Sequence, residues 1–253
     1  MQGRSIACVN SLAFLPPDGH GASTFRCEDA SKCAPSLHRI TEEIRTLLAQ
    51  LEKKDLYSLK HSIRVGRYAA VLAYELDLPP EMILQTYFCG LLHDIGKIAI
   101  PQDILTKDGP LSESEFRIMQ SHPVFSAQIC RFYPSLRAFA PIIRAHHERQ
   151  DGRGYPDHIG GDAIPIPAQL LAVADALDAM TSNRPYRKHM PLKKAGNILK
   201  AGAGSQWNAK VVAAALKVLL KGQFESALSP EWSLVYSGPS DYELKDETSF
   251  CSV

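Results

Sequence analysis

The sequence lacks both a strong net charge and a long apolar run. It has 28 Lys and Arg residues against 27 Asp and Glu residues, so its formal net charge is +1 over 253 residues. A nearly neutral chain has no global field to attract nucleic acid or an anionic membrane. No apolar segment approaches the roughly 20 residues of a transmembrane helix, and the first residues are too polar for a signal peptide. We therefore expect neither nucleic acid nor a membrane as partner.

Paired cysteine motifs are also missing. The six cysteines are scattered without a CxxC pair, and two of them lie in apolar helical contexts where a reduced thiol packs well. This usage predicts a reducing, cytoplasmic location.

No segment shows a convincing alternating strand pattern, whereas helical patterns recur along most of the chain. An amphipathic helix is expected from Leu37 to Lys54, and a second one over Leu56–Leu76 carries His61 on its apolar stripe. Further helices are predicted by caps, prolines and apolar spacing over 79–94, 112–122, 123–133, 135–148, 168–182, Leu192–Lys200 and Ala209–Leu220. The predicted fold class is all-α.

Composition divides the chain into three parts. Residues 1–54 form a Gly-, Pro- and Ser-rich leader followed by the first amphipathic helix, and 55–222 form the main domain. Residues 223–253 are polar and punctuated, so we expect a mostly unstructured tail. Between the helices, the stretch after His147 predicts a long loop, which in a compact domain is usually functional or disordered.

Seven side chains of types that can bind metals stand at predicted helix ends or on inward stripes. Taken singly, each has a plain explanation as a hydrogen-bonded core histidine or as a helix-terminal charge. Together they favour divalent ions, because buried imidazoles and carboxylates are costly unless a cation compensates them. The seven candidate ligands are His61, His93, Asp94, His122, His146, His147 and Asp175.

The adjacent pair of His93 and Asp94 points to two ions rather than one. Neighbouring side chains can reach separate metals while a carboxylate bridges them, as in dinuclear centres about 3.5–4 Å apart that cleave phosphoesters. A histidine-rich donor set suits iron, manganese, nickel, cobalt or zinc rather than calcium or magnesium.

Several motifs occur in a family-specific order: "HSIRVGRYAAVLA", "LLHDIGKIAIP", "SHP", "HHERQDGRGYP" and "AVADALDAMTSNRPYR". In these residues, roughly Leu56 to Lys221, the chain resembles the HD-GYP phosphodiesterases, a bacterial subfamily of the HD superfamily. The resemblance implies an HD-type helical bundle with a long GYP loop. It also implies hydrolysis of cyclic di-GMP to pGpG, GMP or both at a metal centre.

The resemblance assigns the ligands to two ions. One ion takes His61, His93, Asp94 and Asp175, and the other takes Asp94, His122, His146 and His147, with Asp94 as the bridge. Members with three metals have a glutamate one turn before the first histidine, where this chain has Tyr57. We therefore expect two ions, iron or manganese first, with nickel, cobalt and zinc as alternatives.

The implied mechanism uses a hydroxide shared by the two ions, which attacks phosphorus, with Asp94 and Lys97 as catalytic residues. Lys97 offsets charge on the phosphate. Arg184 and Arg187 look like the family's basic pair for the substrate, since guanidinium groups fit phosphate or a guanine edge. Asp178 is expected to cap Arg184 or to contact the base, with a plain salt bridge as an equal alternative.

The Gly154, Tyr155 and Pro156 loop is implied to lie near the site, where Tyr155 is counted among the substrate-binding residues. In the family, this loop can also meet partner proteins, and for this chain partner contact and loop architecture stay equally open. A homodimer is left open as well.

Three functional interpretations remain at this stage. The first is hydrolysis of cyclic di-GMP, and the second is hydrolysis of another cyclic dinucleotide such as 3',3'-cyclic GMP-AMP, since metal ligands do not choose the base. The third is a catalytically inactive module that binds cyclic di-GMP or docks a partner. The complete ligand set argues against the third.

Overall fold

The computed structural model describes residues 13–14, 23–24, 30–182 and 189–224, with side chains from residue 37 onwards. The prediction of an all-α fold is confirmed for the domain. Two residues, Ala13–Phe14 (β1), pair antiparallel with Ser23–Thr24 (β2), and short 3-10 helices cover Ile95–Ala99, Pro134–Phe139 and Gly161–Ala163. The α-helices of the described residues are α1 Ala30–Lys54, α2 Leu56–Glu75, α3 Pro80–Leu92, α4 Gln102–Leu105, α5 Glu113–Met119, α6 His122–Phe132, α7 Ala140–Arg144, α8 Ile166–Thr181, α9 Leu192–Gly202 and α10 Ala209–Leu220.

Several of the predicted helix starts carry the caps that the sequence indicates. Ser112 and Glu115 form the predicted capping box at the start of α5, with the side chain of each accepting a hydrogen bond from the backbone N–H of the other. Asn208 accepts hydrogen bonds from the first backbone N–H groups of α10. These local signals place the helix boundaries close to their predicted positions.

Helix α2 lies at the centre of the bundle and packs against α1, α3, α8 and α10. It is buried on nearly every side, whereas α1 buries only one stripe, made of Ile44, Leu47, Leu48 and Leu51. Burial of one such side chain contributes about 1.5–3 kcal/mol. The predicted amphipathic first helix is therefore confirmed, and its apolar face belongs to the same core as α2.

Two glycines let α2 and α3 cross closely. A Cβ atom on Gly90 would stand 2.4 Å from the Cα of Gly66, which no ordinary contact allows. His61 lies five residues before Gly66, and His93 lies three residues after Gly90. The close crossing thus brings two of the candidate ligands together from different helices.

The segment 135–148 departs from the predicted single helix. Pro141 lies in the first turn of α7, and the residues before it form a separate 3-10 helix. Proline lacks a backbone N–H, so Pro141 cannot donate the hydrogen bond that a continuous helix needs at this point, and it suits the first turn of a new helix. Helix α7 ends at Arg144, and His146 and His147 therefore lie in a turn rather than inside a helix.

Two further expectations can be compared with the structure. Cys89 and Cys130 are buried free thiols, as the apolar helical context predicts. Within the described residues, no helix combines the length and the apolar character that a bilayer crossing requires. The expected basic pair Arg184 and Arg187 lies outside the described residues.

The helix crossing yields a stability prediction. Gly90→Ala should lower the free energy of unfolding by about 1–3 kcal/mol or more, because the added methyl group meets the backbone of α2. Gly196→Ala is the matched control, since a Cβ there meets only the flexible side chains of Leu216 at 3.2 Å and Leu219 at 3.6 Å. Alanine should be neutral or stabilising at that helical position. Urea unfolding measures both variants, and equal stability for the two would contradict the close crossing.

Candidate metal centre

Five separate parts of the fold supply the seven candidate ligands. Helix α2 supplies His61, the residues after α3 supply His93 and Asp94, and the first residue of α6 is His122. The turn after α7 supplies His146 and His147, and α8 supplies Asp175. The structure brings six of these side chains together in two adjoining groups: His61, His93 and Asp94 in one, and His122, His146 and His147 in the other. The seventh, Asp175, lies 3.0 Å from Nε2 of His61.

A close contact between Gly96, two residues after Asp94, and the start of α6 brings the two groups together. A Cβ on Gly96 would stand 2.2 Å from the backbone oxygen of His122, so only glycine fits this position. Ser126 on α6 accepts a hydrogen bond from the N–H of Gly96 at 2.8 Å and donates one to the carbonyl of His93 at 2.7 Å. Ser126 was not singled out from the sequence, where a lone helical serine carries no signal.

Asp94 lies between the two histidine groups. Its Oδ2 atom is 3.6 Å from Nε2 of His61 and 3.4 Å from Nε2 of His93, whereas Oδ1 is 3.2 Å from Nε2 of His122. Lys97 donates a hydrogen bond to Oδ2 at 2.5 Å. Each carboxylate oxygen therefore faces a different group of imidazoles.

Three of the histidines are oriented by the backbone in the same way. The Nδ1 atoms of His93, His122 and His146 lie 2.6–2.7 Å from the carbonyl oxygens three residues earlier. A carbonyl only accepts, so Nδ1 carries the proton and Nε2 presents a lone pair to the centre. The Nε2 atoms of His122 and His146 are 3.3 Å apart. Two lone pairs at this distance repel unless a cation lies with them.

His61 is oriented by a carboxylate instead. Its Nδ1 atom is 2.7 Å from Oδ2 of Asp178, and its Nε2 atom is 3.0 Å from Oδ1 of Asp175. Arg64, one turn further along α2, donates to both oxygens of Asp178 at 2.6 and 3.1 Å. Sequence reasoning missed Arg64, although a charged residue one turn after His61 in a buried helix is a signal for a buried ion pair.

The protonation states around His61 follow from these contacts. Burial alone lowers the pKa of His61, but its hydrogen bonds to Asp175 and Asp178 outweigh burial and raise that pKa to about 9. Burial raises the pKa of Asp178, yet His61 and Arg64 bring it down to about 2. The pKa of Asp94 lies well below its usual range despite burial, because of Lys97 and the neighbouring imidazoles. Two buried carboxylates, Asp94 and Asp178, and the half-buried Asp175 thus face three cationic groups.

The other four histidines of the centre are neutral at physiological pH. Burial lowers the pKa of His122 to about 3 and that of His147 to about 4. Burial also lowers the pKa values of His93 and His146. A neutral imidazole is the form that binds a metal ion. Four of the five imidazoles are therefore ready to coordinate without losing a proton.

The donor set fits two divalent transition-metal ions. Nε2 of His93 is buried without a hydrogen-bond partner among the described residues, although it presents a lone pair. Such an orphaned acceptor is costly, and a metal ion would satisfy it. The donors are imidazole nitrogens and carboxylate oxygens, which suit iron, manganese, cobalt, nickel and zinc.

The remaining site residues divide by their burial. Lys97 is partly exposed beside Asp94, and the Tyr155 ring stacks on the imidazole of His147 at a centroid distance of 4.8 Å. Asp178 is fully buried, and Ser182, His61 and Arg64 hydrogen-bond to its oxygens. These contacts correspond to the salt bridge that was the alternative to a base contact.

The family of the chain follows from a comparison with known proteins. The family model of the HD domain matches residues 45–211, which is well over half of the chain. This chain belongs to the HD domain family. The expected resemblance to the cyclic di-GMP phosphodiesterases of that family is confirmed by its curated relatives.

Three of these relatives show how far the similarity extends. A "Cyclic di-GMP phosphodiesterase" of Thermotoga maritima is 38% identical over 178 residues, 70% of this chain and 48% of its own length. A "3'3'-cGAMP-specific phosphodiesterase 1" of Vibrio cholerae is 38% identical over 62% of this chain and 37% of its own. A cyclic di-GMP phosphodiesterase of Pseudomonas aeruginosa is 40% identical over 56% and 34%, respectively. The chain thus spans less than half the length of these relatives.

Solved structures support the fold. A crystal structure of a cyclic GMP-AMP specific phosphodiesterase of V. cholerae has a TM-score of 0.57 and 17% identity, and the match covers 76% of this chain and 52% of that one. An HDG"Y"P protein of Bdellovibrio bacteriovorus has a TM-score of 0.52 and 20% identity over 66% and 53%. Both confirm an HD-type helical fold.

The geometry predicts a metal-dependent gain in stability. Mn²⁺ at about a hundred times its dissociation constant should stabilise the metal-free protein by about 2.7 kcal/mol, a rise in Tm of about 5–10 °C. Asp94→Ala should lose most of this shift, because it removes the carboxylate between the two groups. Asp162→Ala, which changes an exposed aspartate, should keep it. Differential scanning calorimetry measures the shifts, and an equal shift in both variants would place the ions elsewhere.

Proposed function

We propose that the chain is a metal-dependent phosphodiesterase that hydrolyses cyclic di-GMP to pGpG, GMP or both. The position of Asp94 carries the proposal, because its two oxygens face separate histidine groups at 3.2–3.6 Å. An isolated structural metal would need only one such group. A dinuclear centre with iron or manganese, or with nickel, cobalt or zinc as alternatives, matches both the donors and the family.

The proposed ligand sets are those that the resemblance implies. His61, His93, Asp94 and Asp175 would hold one ion, and Asp94, His122, His146 and His147 the other. Bound divalent ions supply Lewis acidity, which lowers the pKa of water towards neutrality and offsets charge on a phosphodiester. The ionised form of Asp94 is available at neutral pH, since its pKa lies well below the usual range.

Two side chains at the edge of the centre are proposed to act on the substrate. Lys97 lies beside Asp94 and is partly exposed, so its ammonium group can reach a phosphate oxygen. Burial, Asp175 and Asp94 together raise the pKa of Tyr155, so its hydroxyl stays protonated and can donate a hydrogen bond. Arg184 and Arg187 remain proposed substrate contacts.

Cyclic di-GMP is our first choice of substrate, and 3',3'-cyclic GMP-AMP is the alternative. Relatives of similar identity carry either name, at 38% for one of each kind. An inactive module that only binds the dinucleotide is the third reading. A cytoplasmic location, a protein partner at the Gly154–Tyr155–Pro156 loop, a homodimer and the division at 1–54, 55–222 and 223–253 also stay predictions.

A direct assay tests the activity. Protein purified without oxygen should contain about two transition-metal ions and convert cyclic di-GMP to a linear product, identified by chromatography and mass spectrometry. Asp94→Ala should lose both the metal and the activity. Lys97→Ala should keep the metal but lose about 10²–10³-fold in kcat, because one charge-stabilising donor is missing.

Other outcomes of this assay separate the alternatives. Much faster turnover of 3',3'-cyclic GMP-AMP would favour the second substrate. Binding of cyclic di-GMP without hydrolysis under any of the five metals would favour the inactive module and contradict the proposed activity.

Asp178 is proposed to position His61 rather than to contact the base, since both of its oxygens accept hydrogen bonds inside the protein. Asp178→Asn should lower metal affinity by about 10–100-fold, because a partner that orients a ligand is weakened. With saturating metal, its KM for the dinucleotide should stay close to that of the wild type, as should that of the control Asp162→Asn. A raised KM with unchanged metal affinity would restore the base contact.

A further inference from the structure

The GYP loop, residues 154–156, packs directly against the backbone of His147 and Glu148. A Cβ on Gly154 would stand 2.4 Å from the Cα of Glu148 and 2.5 Å from the backbone oxygen of His147, so a larger residue cannot approach as closely. The N–H of Tyr155 donates a hydrogen bond to that same oxygen at 3.2 Å. The loop therefore returns directly to the segment that carries the ligands.

The side chains of Glu148 and Arg144 hydrogen-bond to Asp157, just after the loop. Glu148 is buried, and its Oε1 atom accepts a hydrogen bond from the backbone N–H of Asp157 at 2.6 Å. Arg144 donates to the two carboxylate oxygens of Asp157 at 2.6 and 2.7 Å. Tyr155 is thus held between a backbone contact on one side and two side-chain contacts on the other.

The result is a ring contact on His147. The Tyr155 ring lies 4.8 Å from the imidazole of His147, with an angle of 29° between the two planes. Stacked rings of this kind are worth about 0.5–1.5 kcal/mol beyond the area that they bury. The flat face of Tyr155 limits how far the imidazole can rotate.

His147 needs such a contact more than the other four histidines do. His93, His122 and His146 each have a backbone carbonyl at Nδ1, and His61 has Asp178. Within the residues that the structure describes, the imidazole of His147 makes no hydrogen bond of this kind. The stacked tyrosine takes the place that a hydrogen-bonding partner has at the other ligands.

We infer that Tyr155 is a positioning residue for His147, and that Glu148 holds the loop that presents it. By this proposal, the GYP loop orients His147 within the second half of the centre, which consists of His122, His146 and His147. This inference rests on the proposed dinuclear centre, because it concerns the affinity of that half for a metal ion.

A double-mutant cycle with Mn²⁺ alone tests the inference. In a His61→Ala background, which leaves the second half intact, Tyr155→Ala should weaken Mn²⁺ binding by about tenfold or more. In a His147→Ala background, the same substitution should change Mn²⁺ affinity less than twofold. Calorimetric titration of chelator-treated protein measures both. Equal weakening in the two backgrounds, or none in the first, would overturn the inference.

Conservative variants separate orientation from general damage to the fold. Tyr155→Phe should keep Mn²⁺ affinity, because it retains the ring, whereas Tyr155→Leu should lose it while filling similar space. Glu148→Gln should behave like the wild type, since its amide oxygen can still accept from Asp157, and Glu148→Ala should not. Arg153→Ala, an exposed position of the same loop, is the control. Leucine matching phenylalanine would contradict the stacking role.

The metal readout keeps this test apart from the test of the proposed function. A wild-type protein that binds two Mn²⁺ ions but hydrolyses no dinucleotide would contradict only the proposed activity. A wild-type protein that binds fewer than two ions would contradict the dinuclear centre and this inference with it.

Discussion

Asp94 is an ionised carboxylate in a place that solvent hardly reaches, and the rest of the centre is arranged around that fact. Burying such a charge costs several kcal/mol unless cations and hydrogen-bond donors surround it. In the described residues, Lys97 and protonated His61 supply part of that compensation, while His93, His122 and His146 present Nε2 lone pairs to the centre and that of His93 has no hydrogen-bond partner. The charges of the centre are therefore paired, but among these residues the Nε2 lone pair of His93 lacks a partner. A metal ion would supply that partner.

Close packing of the helices holds the groups around Asp94 in place. Close backbone contacts at Gly66 with Gly90 and at Gly96 with the start of α6 remove the space that side chains would otherwise occupy between elements. Each contact lies within a few residues of a candidate ligand, so the packing that stabilises the fold also sets distances within the centre. Orientation is added separately, by backbone carbonyls at three histidines, by Asp178 at His61 and by Tyr155 at His147.

Much of the fold was predictable because its signals are local. Apolar spacing, prolines and the capping box of Ser112 and Glu115 depend on neighbours within one or two helical turns. The short elements were not predictable, since β1, β2 and α4 have too few residues to show a period. The turn that carries His146 and His147 was not predictable, because helical apolar spacing continues through both residues whereas α7 ends at Arg144.

By itself, the sequence determined the chemical kind of the centre: five imidazoles and two carboxylates at helix ends or on inward stripes, with HDIGK and GYP motifs that indicate the family. Only the tertiary structure decided which groups face one another. It placed the two oxygens of Asp94 between separate histidine groups, joined Asp178 to His61 and Arg64, and turned Tyr155 inward onto His147. These pairings join residues up to 117 positions apart, so no local pattern records them. They follow from how the helices pack, and that depends on the shape of the whole core.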